Sequence, residues 1–305
     1  MKWEKLGRIF TAEGQRPWIA SHSSVPTPEL IRDDLFRIYF SPRDEFGRSN
    51  VSYLVVDLND PTRVIDLCDA PCLAPGPLGA FDDSGAMVSW IIRDGDRRWL
   101  YYTGWNIGGR TPWRTAIGVA HCDAGSETPV FERAAAGPIL DRSICDPYFV
   151  TNPCVIVKDG RWRMWYLSGM GWQESPAGPL PRYQVVHAES ADGIHWDANG
   201  HVRIAHAHPG EVAIGRPCVL RENGVYKMWY SFRGDQFGYR MGYAESADGL
   251  AWRRRDELVD LPRSTSGWDS EATAYPTVFD HGGRRYMLYC GNGYSKAGFG
   301  LAVLS

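Results

Sequence analysis

Hydrophobic residues recur along the whole chain in the short alternating runs that are typical of β-strands. The clearest run is built on aromatic residues and occurs at 36–41, 99–103, 163–168, 227–231 and 286–290. Its equivalent aromatic positions are Phe40, Tyr102, Tyr166, Tyr230 and Tyr289, which are separated by 62, 64, 64 and 59 residues. This regularity predicts five copies of one supersecondary unit.

Each copy has the same surroundings, with a proline-containing strand before it in most units and a glycine-rich loop and a strand of small residues after it. The preceding strands are marked by residues 25–26, 87–88, 152–155, 216–219 and 275–278. Two copies continue into related segments, 190–196 and 246–252, whose Asp-Gly pairs predict tight structural turns. The unit is therefore four short strands, A to D from the axis outward. Proline suits strand A, because the innermost strand of a propeller is an edge.

The repeat predicts an all-β fold, a single five-bladed β-propeller domain over residues 1–305, since no long segment has helical periodicity. The last unit ends at Ser305 without a strand D, whereas residues 3–6 resemble the strand D segments that begin at Trp196 and Trp252. We therefore expect the N-terminal strand to close the ring, which removes an exposed edge. The alternative is a frayed N-terminal tail.

Charge and cysteine content exclude several classes of function. The formal net charge is −3, and no stretch clusters Lys and Arg, so a nucleic-acid partner is not expected. The charged start lacks the apolar run of a signal peptide, and no segment is long enough to span a bilayer, which predicts a cytoplasmic protein without a membrane partner. The seven scattered cysteines are expected to be small buried hydrophobes. His206 and His208 have alternating spacing, yet we predict no metal and no cofactor.

Polar residues concentrate in the loops that precede strand A and in the loops that join strands B and C. Because strands alternate in direction within a blade, both kinds of loop emerge at one end of the propeller and are expected to line one pocket. The predicted catalytic residues are Glu211, Asp82, Asp269 and Glu271. The predicted substrate-binding residues are His22, Arg43, Asp44, Asp83, Trp105, Asn152, Trp172, Arg216, Arg233, Tyr275 and Asn292. Close carboxylates can supply an acid and a base, aromatic faces stack on sugar rings, and arginines clamp anionic groups.

Simpler structural roles are open for several of these residues. Asp269 and Glu271 would share a face of an extended segment, and one could pair with Arg216 or Arg233. Arg43 could form a local ion pair with Asp44, and His22 could be a hydrogen-bonded loop histidine. Of Asp82 and Asp83, one is expected to face the axis and the other to cap a turn, with Asp82 favoured for the axis. Trp165 and Trp229, in strand B, are expected to be core residues.

The whole chain resembles five-bladed propeller glycosidases of the arabinanase, xylosidase and invertase type. It is most similar to glycosidase-like propeller proteins of bacterial polysaccharide or secondary-metabolite gene clusters. The resemblance implies a general-acid Glu before strand A of blade four, a place that Glu211 occupies. It also implies an Asp in blade one, where this chain has His22 and Ser24, and an Asp before proline in blade three, where it has Asn152. The family's missing aspartates would have to be replaced by a carboxylate from a neighbouring loop, namely Asp44, Asp82, Asp83, Asp269 or Glu271.

The leading hypothesis is a glycoside hydrolase-like enzyme that acts on a sugar or glycoside by carboxylate acid–base chemistry. Glu211 would protonate the leaving oxygen, and Asp82, Asp269 or Glu271 would act as base. One alternative is a non-catalytic sugar-binding propeller, and another is a tailoring enzyme acting on a nucleotide sugar or antibiotic precursor. The expected partner in each case is a small-molecule sugar, glycoside or sugar nucleotide.

Overall fold

A computed structural model describes residues 1–176 and 178–305, and its strands form sheets arranged as propeller blades. The prediction of an all-β propeller is confirmed, and the described helices are limited to one 3-10 turn, Asp256–Leu258, and one helical turn, Asn292–Ser295. Within the described ranges no helix is both long and apolar enough to cross a membrane.

The strands group in sets of four, which we number as blades in chain order. Blade 1 contains β2 (Ser21–Arg32), β3 (Leu35–Arg43), β4 (Ser52–Asp57) and β5 (Asp60–Leu67), and blade 2 contains β6 (Gly85–Asp94), β7 (Arg97–Ile107), β8 (Trp113–Asp123) and β9 (Glu132–Arg133). Blade 3 contains β10 (Val150–Lys158), β11 (Arg161–Gln173), β12 (Leu180–Ser190) and β13 (Trp196–Ile204). Blade 4 contains β14 (Glu211–Glu222), β15 (Val225–Gly234), β16 (Arg240–Ser246) and β17 (Arg253–Arg254). A single parallel bridge, between Tyr183 and Ala213, joins blades 3 and 4.

The chain's first strand and its last three strands form blade 5. β1 (Trp3–Phe10) pairs antiparallel with β20 (Phe299–Leu304), beside β19 (Arg284–Cys290) and β18 (Ala274–His281). Trp3 lies opposite Leu304 and is 3% exposed. The N-terminal segment is therefore a paired strand rather than a frayed tail.

The inner strands contact one another in sequence around a common axis. The contacting pairs are β2 with β6, β6 with β10, β10 with β14, β14 with β18, and β18 with β2. Hydrophobic clusters fill the spaces between blades, and Trp165 and Trp229 are fully buried in them, as expected of core residues. All seven cysteines are free, and Cys68, Cys72, Cys154, Cys218 and Cys290 are buried.

Candidate functional site

A β-bulge recurs in the inner strands next to the axis. At each bulge a few residues are not paired with the neighbouring strand. In four strands the residue before proline has a left-handed backbone, with φ between 49° and 56°, and the register shifts at that point. These residues are Val25, Asn152, Arg216 and Tyr275. Such a conformation is costly for a residue with a side chain, so neighbouring groups must hold it in place. Thr103 Oγ1 accepts the Asn152 backbone N–H at 3.0 Å, and Ser231 Oγ accepts that of Tyr275 at 2.7 Å.

Arg216 crosses the axis and ties several blades together. Its guanidinium donates to the Ser89 carbonyl at 2.6 Å, to Thr27 Oγ1 at 3.0 Å and to Thr277 Oγ1 at 2.8 Å. These acceptors come from blades 2, 1 and 5, and Arg216 itself comes from blade 4. The residue is 1% exposed, and burial lowers its pKa. Ser89 also forms a hydrogen bond through its Oγ with Thr103 Oγ1, at 3.2 Å. Ser89 therefore links Arg216 to Thr103, a residue that lines a cavity at the axis.

A cavity of about 590 Å³ lies at one end of this axis. It is lined by His22, Arg43, Met87, Thr103, Trp105, Trp113, Thr115, Phe149, Thr151, Asn152, Leu167, Leu180, Pro181, Tyr183, Arg233, Tyr239, Tyr275 and Tyr294. The described lining combines aromatic faces with hydroxyl, amide and guanidinium groups, and contains no Asp or Glu. Concave sites of this size and mixed character are typical of small-molecule binding.

The phenol groups of four tyrosines form one wall of the cavity. The Tyr183 and Tyr239 hydroxyls share a short hydrogen bond. The Tyr275 ring lies 5.0 Å from that of Tyr239 and 5.2 Å from that of Tyr294, measured between centroids. Burial is the main cause that raises the pKa of Tyr183 and of Tyr275 well above the ordinary value. The phenols of Tyr183 and Tyr275 are therefore neutral hydrogen-bonding groups rather than phenolate nucleophiles.

His22 contributes an imidazole that is neutral at neutral pH. Its backbone is left-handed, with φ of 58°, and its Nδ1 lies 3.0 Å from Ser21 Oγ. Burial, followed by the charges of Arg43 and Lys296, lowers its pKa from 6.5 to about 4. His22 is therefore a hydrogen-bonded histidine, but it lies at the start of β2 rather than in a loop.

Acidification is expected to destabilise the ligand-free protein through His22. The unfolded chain takes up this proton at a higher pH than the folded chain, so the stabilising contribution is complete above about pH 6.5 and is lost as the pH falls toward 4. His22→Gln should therefore lose less melting temperature than the wild type between pH 7 and pH 5. His187, whose pKa burial lowers to about 3, remains in both proteins and acts equally on both curves. Identical pH profiles for the two proteins would contradict this role.

Glu211, the predicted general acid, lies outside the cavity in a structural ion pair. Its side chain is fully buried and accepts Arg254 Nη1 at 2.8 and 3.0 Å. It also accepts the backbone N–H groups of Ala207 and His208, each at 3.0 Å. The prediction that Glu211 lies in the pocket is therefore corrected. Its carboxylate is bound instead by Arg254 of β17, strand D of blade 4.

Asp82 and Asp269 are held by a contact that repeats between blades. The Tyr102 hydroxyl donates to Asp82 at 3.1 Å, that of Tyr289 donates to Asp269 at 3.1 Å, and each tyrosine lies 20 residues after its aspartate. A third pair with the same spacing is Tyr166 and Asp146, at 3.0 Å. Arg133 Nη2 lies 2.7 Å from Asp82, and Lys5 Nζ lies 2.6 Å from Asp269. Neither Asp82 nor Asp269 lines the axial cavity, so their predicted catalytic positions and the predicted axial position of Asp82 are corrected. The basic partner of Asp269 is Lys5 rather than Arg216 or Arg233.

The remaining predicted carboxylates also lie outside the axial cavity. Glu271 is exposed and, together with Asn292, lines a separate surface pocket. Residues 261–273 form no strand, so the two-residue spacing of Asp269 and Glu271 does not place them on one face. Asp83 caps a turn by accepting the Gly79 N–H at 3.0 Å. Asp44 pairs with Arg48, at 2.9 Å, and not with Arg43.

The structure brings together six of the predicted binding residues. Those that line the cavity are His22, Arg43, Trp105, Asn152, Arg233 and Tyr275. Trp172 instead lies behind the lining, with its ring centroid 4.6 Å from that of Trp113 and 5.5 Å from that of Phe149. The Asn292 side chain accepts the Glu271 N–H at 2.8 Å and donates to the Gly267 carbonyl at 3.0 Å, which fixes a loop.

Sequence reasoning missed Trp113, Tyr183 and Tyr239 in the cavity wall. Trp113 begins β8, Tyr183 lies near the start of β12, and Tyr239 immediately precedes β16. All three follow a loop between strands B and C, so the first residues of strand C belong to the same end of the propeller as that loop. Among the described residues, no group of three or more His, Cys, Asp or Glu side chains is placed to hold a metal ion.

Two curated proteins of Mycobacterium tuberculosis are similar to the chain over its whole length. One, named uncharacterized protein MT1551 (strain CDC 1551 / Oshkosh), is 45% identical over 306 residues, and the match covers 100% of this chain and 99% of that protein. The other, named uncharacterized protein Rv1502 (strain ATCC 25618 / H37Rv), is 44% identical with the same coverage. No protein-family model matches the chain.

Solved structures that share the fold are glycoside hydrolase propellers. One described as a glycoside hydrolase has a TM-score of 0.74 at 18% identity, over 98% of this chain and 90% of that one. A putative glycosidase from Bacteroides thetaiotaomicron has a TM-score of 0.72 at 16% identity, over 99% and 96%. An α-L-arabinofuranosidase from Lactobacillus brevis has a TM-score of 0.70 at 11% identity, over 93% and 90%.

Proposed function

Because the chain belongs to the same family as MT1551 and Rv1502 and has the fold of propeller glycosidases, we propose that its axial cavity binds a sugar or glycoside. The observation that carries the proposal is the combination of Trp105 and Trp113 with hydroxyl, amide and guanidinium groups in one cavity. Aromatic faces bind the apolar side of a sugar ring, while the polar groups hydrogen-bond its hydroxyls.

The volume and position of the cavity support a small ligand. A space of about 590 Å³ falls in the usual range of roughly 300–1,000 Å³ for small-molecule sites. The polar lining includes Thr103, Thr151 and Asn152, whose hydroxyl and amide groups can act as donors and acceptors. A monosaccharide or a short glycoside is therefore the class of ligand that we assign.

The lining supports sugar recognition more directly than hydrolysis by two carboxylates. That mechanism uses a pair of carboxyl groups on either side of the scissile bond, roughly 5–9.5 Å apart. The described lining of this cavity contains neither Asp nor Glu, and Glu211, Asp82 and Asp269 are engaged in buried ion pairs. We therefore favour the sugar-binding alternative over acid–base hydrolysis centred on Glu211.

Replacing the Trp105 indole should weaken sugar binding without unfolding the protein. Trp105 is half-buried at the cavity wall, and aromatic stacking contributes roughly 0.5–1.5 kcal/mol beyond simple area burial. We expect Trp105→Ala to raise the Kd of a bound monosaccharide about tenfold, measured by titration calorimetry against a panel of neutral, acidic and phosphorylated sugars.

The matched control is Phe46→Ala. Phe46 is an exposed aromatic residue in the loop between strands B and C of blade 1 and does not line the cavity. Its removal should leave sugar affinity unchanged. If the two variants lower affinity equally, or if Trp105→Ala has no effect on any sugar that binds, the cavity is not the sugar site.

A further inference from the structure

The cavity carries two arginines whose charge no acidic side chain balances among the described residues. Arg43 lines the cavity and forms no ion pair within the described part of the chain. Arg233 donates to the Pro181 carbonyl at 2.6 Å, and its guanidinium carbon lies 5.8 and 5.9 Å from the Tyr183 and Tyr239 ring centroids. Both guanidinium groups are therefore held beside the cavity without a carboxylate partner.

Arg216 adds a third positive charge at the axis. Its described acceptors are one carbonyl and two hydroxyl groups, and its Nε has no acceptor. The charges of Arg43 and Arg216 also act on the cavity-lining Tyr294, where they oppose the burial that raises the pKa of its phenol. Charges act over longer distances in a protein interior than in water, so a positive potential extends into the cavity.

Arg216 differs from the two other buried arginines of the described residues, Arg37 and Arg98, because both of those pair with a carboxylate. Arg98 Nε lies 2.6 Å from Glu29, and Arg37 lies 2.9 Å from the same carboxylate. An unpaired buried charge costs several kcal/mol, and this cost applies to Arg216. Arg43 and Arg233 are half-buried and also lack a carboxylate partner, so a negatively charged ligand in the cavity would balance their charge.

We infer that the sugar recognised in this cavity carries an oxyanion, either a carboxylate or a phosphate, bound by Arg43 and Arg233. This inference rests on the proposed sugar-binding function and names the class of sugar. A guanidinium group binds such oxyanions through two parallel hydrogen bonds. The phenols of Tyr183 and Tyr275 and the imidazole of His22 are neutral at neutral pH, so they neither repel the anion nor replace the arginines.

The test compares four probes by titration calorimetry on the full chain: D-galacturonate, D-glucose 1-phosphate, D-galactose and inorganic phosphate. We expect one of the two charged sugars to bind at least tenfold more tightly than galactose, because a hydrogen bond to a charged group is stronger than one to a neutral group. Its binding should also weaken as NaCl is raised from 50 to 500 mM. The carboxylate and phosphate probes separate the two sources of negative charge.

Arg43→Gln should weaken binding of the preferred charged sugar at least tenfold and weaken galactose binding by a clearly smaller factor, because a hydrogen bond to a neutral hydroxyl is weaker than one to an oxyanion. Arg43→Lys, which keeps the charge but not the planar fork, should recover part of the loss. The matched control is Arg110→Gln, because Arg110 is almost fully exposed in a loop at the same end of blade 2 and does not line the cavity. Melting curves of all three variants verify that they are folded.

The outcomes separate this inference from the proposed function. If galactose and the charged sugars bind equally and Arg43→Gln changes neither, the anionic preference is overturned while sugar binding stands. If inorganic phosphate binds as tightly as glucose 1-phosphate and Trp105→Ala has no effect, an anion site stands and sugar recognition is overturned. If no probe binds, both are overturned.

Discussion

A chain that begins at residue 11 is expected to melt many degrees below the full chain, because it lacks the outer strand of blade 5. The deletion removes the antiparallel ladder between β1 and β20, the buried Trp3 indole and the contact of Lys5 with Asp269. Removal of a buried tryptophan alone costs roughly 3–5 kcal/mol. Each kcal/mol lost from the free energy of unfolding lowers the melting temperature by roughly 2–4 °C in a domain of 150–250 residues, and by somewhat less in a larger one.

Two single substitutions separate the causes of this loss. Trp3→Asp keeps the backbone ladder but places a charge in the space of the buried indole, and it should reproduce much of the destabilisation. Glu4→Ala changes the adjacent exposed residue of β1 and should leave the melting temperature unaltered. Calorimetric melting curves that coincide for the truncated and full chains would show that β1 does not hold the propeller closed.

Glu211→Gln is expected to destabilise the fold, whereas a catalytic acid at this position would leave stability nearly unchanged and slow the reaction. The substitution removes the charge that pairs with Arg254 in a fully buried position. Breaking a buried ion pair costs roughly 3–5 kcal/mol. Because Arg254 keeps its contact with Asp256 at 2.6 Å, we expect the lower end of that range. Denaturant unfolding at neutral pH measures the effect.

Glu271→Gln is the matched control, because Glu271 was also predicted to be catalytic, as a candidate base, but is exposed. Its free energy of unfolding should stay within about 0.5 kcal/mol of the wild type. A double-mutant cycle of Glu211→Gln with Arg254→Met should show a coupling energy of at least about 1 kcal/mol. If Glu211→Gln leaves stability intact but abolishes turnover of a sugar substrate, the residue is catalytic and the structural assignment is wrong.

The all-β propeller fold could be predicted from the sequence because the same strand pattern recurs along the chain. The aromatic runs around Tyr102, Tyr166, Tyr230 and Tyr289 form the B strands β7, β11, β15 and β19. The prolines predicted only that the inner strands are edges. In the structure they coincide with a bulge, and two of the residues before them, Asn152 and Tyr275, line the cavity.

The site was predicted only in part, because a loop's position does not determine the partner of its carboxylate. Asp82 and Asp269 lie in loops that precede an inner strand, yet a tyrosine of strand B and a basic residue of strand D bind them within the same blade. One signal was present in the sequence, namely an aspartate 20 residues before the repeated tyrosine in three blades. A feature repeated in several blades is a property of the repeat, and therefore points to structure rather than to a single active site.

Two arginines were located better than the carboxylates, because no acidic side chain of the described residues pairs with them. Arg43 and Arg233 lie where the loops between strands B and C begin, and both line the cavity. Tyr183 and Tyr239 were missed because they belong to the strand that follows such a loop, where an aromatic residue is also typical of ordinary packing.

A crystal structure of the protein soaked with monosaccharides, sugar acids and sugar phosphates would locate the sugar site directly. We expect a sugar ring in the axial cavity, in van der Waals contact with Trp105 or Trp113, with its charged group bound by Arg43 and Arg233. No carboxylate of the chain should lie within hydrogen-bond distance of the anomeric oxygen. A sugar bound beside Glu211 or Asp269, or bound only outside the axial cavity, would show that the axial cavity is not the sugar site.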